Sequence, residues 1–166
     1  MRTPNQTYYP AGIYHVTWVT HNSRVSQRMI DYHVKKETGI RLDEKAEVKI
    51  TEIIGGIIRD KNYAVYAYNI CLDHVHMLIE CEDNTVSNVV RQIKGKSAQL
   101  YKEYLGQNMS DSFHLWGQKF NKWLITSDDE FCRTMEYIVH NRRKHGLSEN
   151  KGLQPLAQQF LLTYHG

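Results

Sequence analysis

A chain of 166 residues and 19.5 kDa, 41% hydrophobic and 23% charged, has room for one domain with a real core and too little for two. No low-complexity tract is present, and a net charge of +3 is only mildly basic, so it leaves a polyanionic partner to be decided by local clustering. The polar opening, Met1 to Pro10, and the lack of a run near the roughly 18 apolar residues of a membrane span argue against secretion and insertion. With three cysteines (Cys71, Cys81, Cys132) and no metal-type spacing among them, a soluble protein of the reducing cytoplasm is expected.

In chain order, Gly12 to Thr20 alternates Ile13, Tyr14, Val16, Thr17, Trp18 and Val19, which predicts a strand. Asn22 to Leu42 is mixed and polar, a connector with room for one short helix. From Asp43 to about Asp60, Ala46, Ile50, Ile53, Ile54, Ile57 and Ile58 recur with helical period, although Gly55-Gly56 and the β-branched side chains oppose it. Tyr63 to Ile70 and His74 to Cys81 predict two strands joined by a short hairpin. Val86, Val89, Val90, Ile93, Ser97 and Tyr101 mark a helix to about Leu105, with Asn84 or Thr85 as its cap. After a polar loop, Gly106 to Ser112, the segment Phe113 to Thr126 predicts a last strand. Ser127 and Glu130 form a capping box for a helix expected to run to about His145 and stop at Gly146.

Strand, helix, strand, strand, helix, strand, helix is the order of an α+β, ferredoxin-like (RRM-like) sandwich with an antiparallel sheet and an added C-terminal helix. The whole chain, 1–166, reads as one domain, with a core of about 12–147 and a tail, 148–166, packed on it.

Three features carry chemistry. His74 and His76 are two apart on a predicted strand, so both imidazoles face one way and can share a cation, whether Mg²⁺, Mn²⁺ or a softer ion such as Zn²⁺. On the last helix Tyr137 lies off the core-facing stripe of Phe131, Met135, Ile138 and Arg142 and leans towards the face of Asn141 and Lys144, a nucleophile beside a third ligand. Basic residues gather as DNA-binding candidates: Arg91, Lys94 and Lys96 on the second long helix, Lys119 and Lys122 on the last strand, and Arg142, Arg143 and Lys144 beyond the tyrosine. Trp116, Phe120 and Trp123 interleave with that strand as stacking surfaces do, although core packing explains the tryptophans better.

The ordered set Tyr14–Thr20, Leu72–Ile79 around the histidine pair, Ile93–Ser97, Leu115-Trp116 with Phe120, and Tyr137-Ile138 with Asn141 resembles the single-tyrosine HUH transposases, in particular the REP-associated tyrosine transposases and related insertion-sequence enzymes. The resemblance spans about Gly12 to Leu147. It implies His74, His76 and Asn141 as ligands of Mg²⁺ or Mn²⁺, and Tyr137 as the residue that cuts single-stranded DNA through a 5′-phosphotyrosine bond and rejoins it. It implies hairpin DNA as partner, and allows either a monomer or a homodimer with active sites shared between chains. Two positions depart from the family's common pattern: Arg142-Arg143 follow Asn141 where Asn-Pro is usual, and Leu72-Asp73 precede the histidines where Pro-Asn is frequent. A domesticated, non-cleaving hairpin-binding protein is the alternative within the same fold. A faint likeness of His15-Val16-Thr17 and His74-Val75-His76 to the paired motifs of metal-free RNA phosphoesterases is the alternative outside it.

Overall fold

The computed structural model describes residues 11–22, 40–106 and 113–164. Most of the expected connector and of the polar loop therefore lies outside the described residues. Strands β1 (Ala11–Thr20), β2 (Ala64–Cys71), β3 (His74–Glu82) and β4 (Trp116–Leu124) form one sheet in the order β2-β3-β1-β4, every neighbouring pair antiparallel. Helices α1 (Glu44–Lys61) and α2 (Val86–Leu105) make the crossovers, which gives the α+β sandwich that the element order predicts.

Local signals set the ends of α1. Asp43 caps it by accepting from Ala46 N at 2.7 Å, acidic residues fill the first turn and basic ones the last, and Asn62 closes it at φ 56°. The glycine pair that weakens the helical prediction is explained at one position by packing. A Cβ on Gly55 would sit 2.6 Å from the Phe160 ring, so the glycine admits the C-terminal tail, whose helix α5 (Leu153–Gln158) lies against α1.

Two cores result. Tyr14, Val16 and Trp18 of β1, with Val75, Met77 and Ile79 of β3, meet Ile50, Ile54, Ile58, Val90 and Ile93 of the two long helices on one face of the sheet. On the other face Ala67 and Leu78 meet Phe131 and Ile138 of a third helix, α3 (Asp128–Val139). The alternation of each strand decides which side chains go to which core, and His15, His74 and His76 go to the face that α3 only partly covers.

The last helix departs from expectation. Ser127 caps α3 by accepting from Glu130 N at 3.1 Å, and Glu130 reaches back to Thr126 N at 2.9 Å and its hydroxyl at 2.6 Å. The helix then stops at Val139 instead of running to 145. His140, at φ −99° and ψ 14°, interrupts it, and a short helix α4 (Asn141–Lys144) follows before Gly146 turns the chain at φ 70°. The physical reason is a competing partner: Asn69 of β2 donates from Nδ2 to Ile138 O at 2.8 Å and Val139 O at 3.5 Å, satisfying carbonyls that a broken helix leaves open.

Candidate active site

The histidines are presented by the β2–β3 hairpin. Its two-residue turn holds Leu72 at φ 53° and fixes the register that places Cys71 opposite His74 and Asn69 opposite His76. His74 and His76 therefore project side by side, their ring centroids 5.0 Å apart. Asp73 accepts from His74 Nδ1 at 2.9 Å, and His74 Nε2 faces Asn141 Oδ1 at 2.8 Å.

That contact is chemically informative. A carboxylate can only accept, so Nδ1 carries a proton; Nε2 then either carries a second proton and donates to the amide oxygen or turns a bare lone pair towards it, an arrangement that repels. Asn141 is fully buried, and its Nδ2 has no hydrogen-bond partner. A cation seated against both acceptors removes the repulsion, as does a half-turn of the amide that would bring Nδ2 to the ring. The spacing matches neighbouring ligands of an octahedral ion with bonds of about 2.1 Å, and a histidine that donates its other N–H to a carboxylate is a common support for a ligand. Among the described residues no three His, Cys, Asp or Glu side chains form a metal-binding group, so the third ligand here would be the amide oxygen.

His76 is held from β1. His15 Nε2 lies 2.9 Å from His76 Nδ1, and the two rings stack at 5.2 Å. Burial pushes the His15 imidazole down to about 4, and burial followed by the neighbouring His74, His15, His145 and Lys144 side chains pushes His76 down to about 3. Both are neutral near pH 7. If Nδ1 of His76 gives its proton to His15, Nε2 is left with the lone pair that a ligand needs. His15 belongs to the stretch Tyr14–Thr20, yet its contact with His76 is diagonal across two strands and becomes readable only once the register is known.

Tyr137 completes the cluster. Its ring centroid is 5.5 Å from that of His76 and 6.1 Å from that of His15, it is 38% exposed, and Lys144 Nζ stands 4.4 Å over it. Tyr137 and Asn141 were expected four apart on one helix. They instead flank the break at His140, so the tyrosine stays at the surface while the asparagine turns inward.

The family model described as "Transposase IS200 like" matches residues 9–141. The chain belongs to the IS200-like transposase family. Among solved structures, a REP-associated tyrosine transposase bound to a REP hairpin is similar over 89% of this transposase and 76% of that chain, with a TM-score of 0.55 and 20% identity, which speaks for the fold. A candidate transposase from Deinococcus radiodurans R1 aligns over 84% of this chain and 96% of its own at 19% identity, but its TM-score of 0.43 is too low to bear on the fold. No curated protein matches the sequence.

The basic residues do not form the single patch expected of them. Arg143 and Lys144 are exposed on α4, and Lys144 lies over Tyr137 close to His76. Arg142, expected to meet DNA, is buried: Nη1 donates to both oxygens of Glu47 at 2.8 and 2.9 Å, and Nε donates to Ser148 O. It belongs to the core-facing stripe of the sequence, and a guanidinium there needs a carboxylate partner. Lys94 is also buried, with Nζ donating to Lys119 O at 3.0 Å. Arg91 and Lys94 line a groove of about 470 Å³ between α2 and β4, across the sheet from the histidines, while Lys96 lines another against α1. Lys119 is exposed on β4, and Lys122 of the same strand has Nζ 6.0 Å over the Tyr14 ring on the α1–α2 side. Trp116 packs in the core, as expected, but Trp123 does not and is 51% exposed, its ring 5.2 Å from that of His15.

Proposed function

We propose that this transposase cuts and rejoins single-stranded DNA beside hairpins through a 5′-phosphotyrosine intermediate on Tyr137, with Mg²⁺ or Mn²⁺ held by His74, His76 and Asn141. The observation that carries the reading is the convergence of a surface tyrosine, two histidines and a buried amide oxygen facing His74 Nε2 at 2.8 Å, within one chain. Membership of the family supports it, and the hairpin bound by the REP-associated neighbour recommends hairpins as substrate.

When bound, the cation would polarise the phosphodiester and offset charge gathering on its oxygens. The chain's own residues do the rest. The Tyr137 oxygen attacks phosphorus, forming an O–P bond as the P–O3′ bond breaks; the phenol loses its proton and the departing 3′ oxygen gains one. A 3′-OH on a second strand reverses the step, so the bond energy is kept and no nucleotide is consumed. Arg143 and Lys144, exposed on α4, provide cations for the phosphates on either side. His15 and Asp73 act through their neighbours, fixing the proton positions of His76 and His74.

The test is a gel assay for a covalent adduct. The protein is mixed with oligonucleotides tiled across the flanks of its own gene, in Mn²⁺ or EDTA. An adduct is expected in Mn²⁺ alone, lost in Tyr137→Phe and His76→Ala, with hairpin binding kept in Tyr137→Phe. Hairpin binding without any adduct would replace this reading with a non-cleaving DNA-binding protein, and full activity of His76→Ala would remove the metal assignment.

A further inference from the structure

Helix α3 packs mainly on the β2–β3 half of the histidine face, on Ala67 and Leu78, and reaches β1 at Ile13 and, through Tyr137, at His15. Beyond them, on the edge strand β4, Lys119, Asn121 and Trp123 are exposed on this face. The antiparallel register places His15 opposite Trp123 and Thr17 opposite Asn121, so these four side chains share the face of His76. Trp18 and Trp116 are in the core and touch edge to face at 5.8 Å. Trp123 alone of the three tryptophans stands half in water, on an edge strand, at the end of a row that runs Trp123, His15, His76.

Packing accounts for only part of an indole in that position. Its neighbours on the face are the polar His15, Thr17 and Asn121 on one side and the partly buried Ile13 and Ile125 on the other, and the ring still stands 51% exposed beside them. Its ring and that of Tyr137 both lie near His15, with centroids 5.2 and 6.1 Å away. A base resting on Trp123 would thus belong to a nucleotide one or two steps from the one joined to the tyrosine. Lys119 on the same strand and Lys144 at the far side of Tyr137 supply positive charge at both ends of this shelf.

We infer that the single strand entering the site runs along the edge strand β4 beside His15, and that Trp123 is a platform on which an unpaired base next to the attacked phosphate stacks. The inference rests on the DNA-cleaving reading above. Exposed aromatics on a four-stranded sheet take unpaired bases in this manner, and the contact tolerates any base because each has a π face. Trp123 would then set where the strand lies along the row and so which phosphate meets Tyr137.

The test uses the full chain as Tyr137→Phe, which should bind without cutting, and a hairpin oligonucleotide with unpaired tails taken from the flank of the gene. Because Trp18 and Trp116 are buried, quenching of tryptophan fluorescence on binding reports Trp123. Quenching is expected, together with a five- to hundredfold loss of affinity in Trp123→Leu and near-normal affinity in Trp123→Phe, the range and tolerance of one base–aromatic stack. A single abasic nucleotide scanned along the tails should reproduce the loss at one position, and at that position Trp123→Leu should add nothing further. Equal affinity of Trp123→Leu and its parent, with no quenching, would overturn the platform and leave the cleavage reading standing. Failure of any flanking hairpin to bind the parent would overturn both.

Discussion

At the scale of single residues the proposed metal site would depend on proton positions as much as on ligands. His15 is not among its proposed ligands, yet its ring nitrogen 2.9 Å from His76 Nδ1 would set which nitrogen of His76 is free. His15→Phe keeps the size and loses the acceptor, so Mn²⁺ affinity measured by EPR should fall about 10- to 100-fold, and His15→Gln, whose amide oxygen can accept, should recover part of it. Unchanged affinity in His15→Phe would deny His15 this role. The same pair sets a pH dependence of folding. Unfolded histidines titrate near 6.5, whereas His15 and His76 in the folded protein are held down to about 4 and about 3. Between those values the unfolded chain binds more protons, so the contribution of the pair is fully present above about pH 6.5 and is lost as pH falls towards 3. Urea denaturation in EDTA should show stability declining over that window, with a shallower slope in His15→Gln.

At the scale of elements, the strands and long helices could be read from the sequence because each carries its own period, and the caps at Asp43 and Ser127 are local chemistry. The break at His140 was not legible. Its cause is Asn69, distant in sequence and brought beneath the end of α3 by the hairpin register. The stripe of Phe131, Met135 and Ile138 already put Arg142 on the core-facing side, but its partner and that of Lys94 were hidden for the same reason: Glu47 and the Lys119 carbonyl come from other elements. His74 and His76 were visible as a pair because they lie two apart on one strand, whereas His15 and Trp123 join them only through pairing across strands. The hairpin turn gives this scale its prediction. Leu72 stands at φ 53° and its N–H donates to Glu47 Oε2 at 2.9 Å, and proline can do neither. Leu72→Pro, although it restores the dipeptide's commoner first residue, should lower stability by more than about 1 kcal/mol in thermal denaturation. A neutral result would mean that the turn can adopt a second backbone conformation.

At the scale of the whole molecule, Glu47 joins the layers. Only 1% exposed, it lies on α1 in the layer opposite the histidines and binds Arg142, Leu72 N and Asn150 Nδ2. Through Arg142 it fixes the helix that begins with Asn141, and through Leu72 the turn that precedes His74. Glu47→Ala leaves a buried guanidinium without its partner and should cost about 3–5 kcal/mol, read by chemical denaturation, with loss of Mn²⁺ binding where the protein still folds. All four central residues, Tyr137, His74, His76 and Asn141, converge within one chain. Mixing Tyr137→Phe with His76→Ala should therefore yield no adduct, and an adduct restored by mixing would show that the tyrosine helix serves a partner. The Glu47 junction also bears on how such mobile genes die. A copy whose tyrosine and histidines are spelled correctly can be a fossil if its first helix has drifted at this glutamate, so a census of living elements that inspects only the proposed site residues would count some of the dead among them.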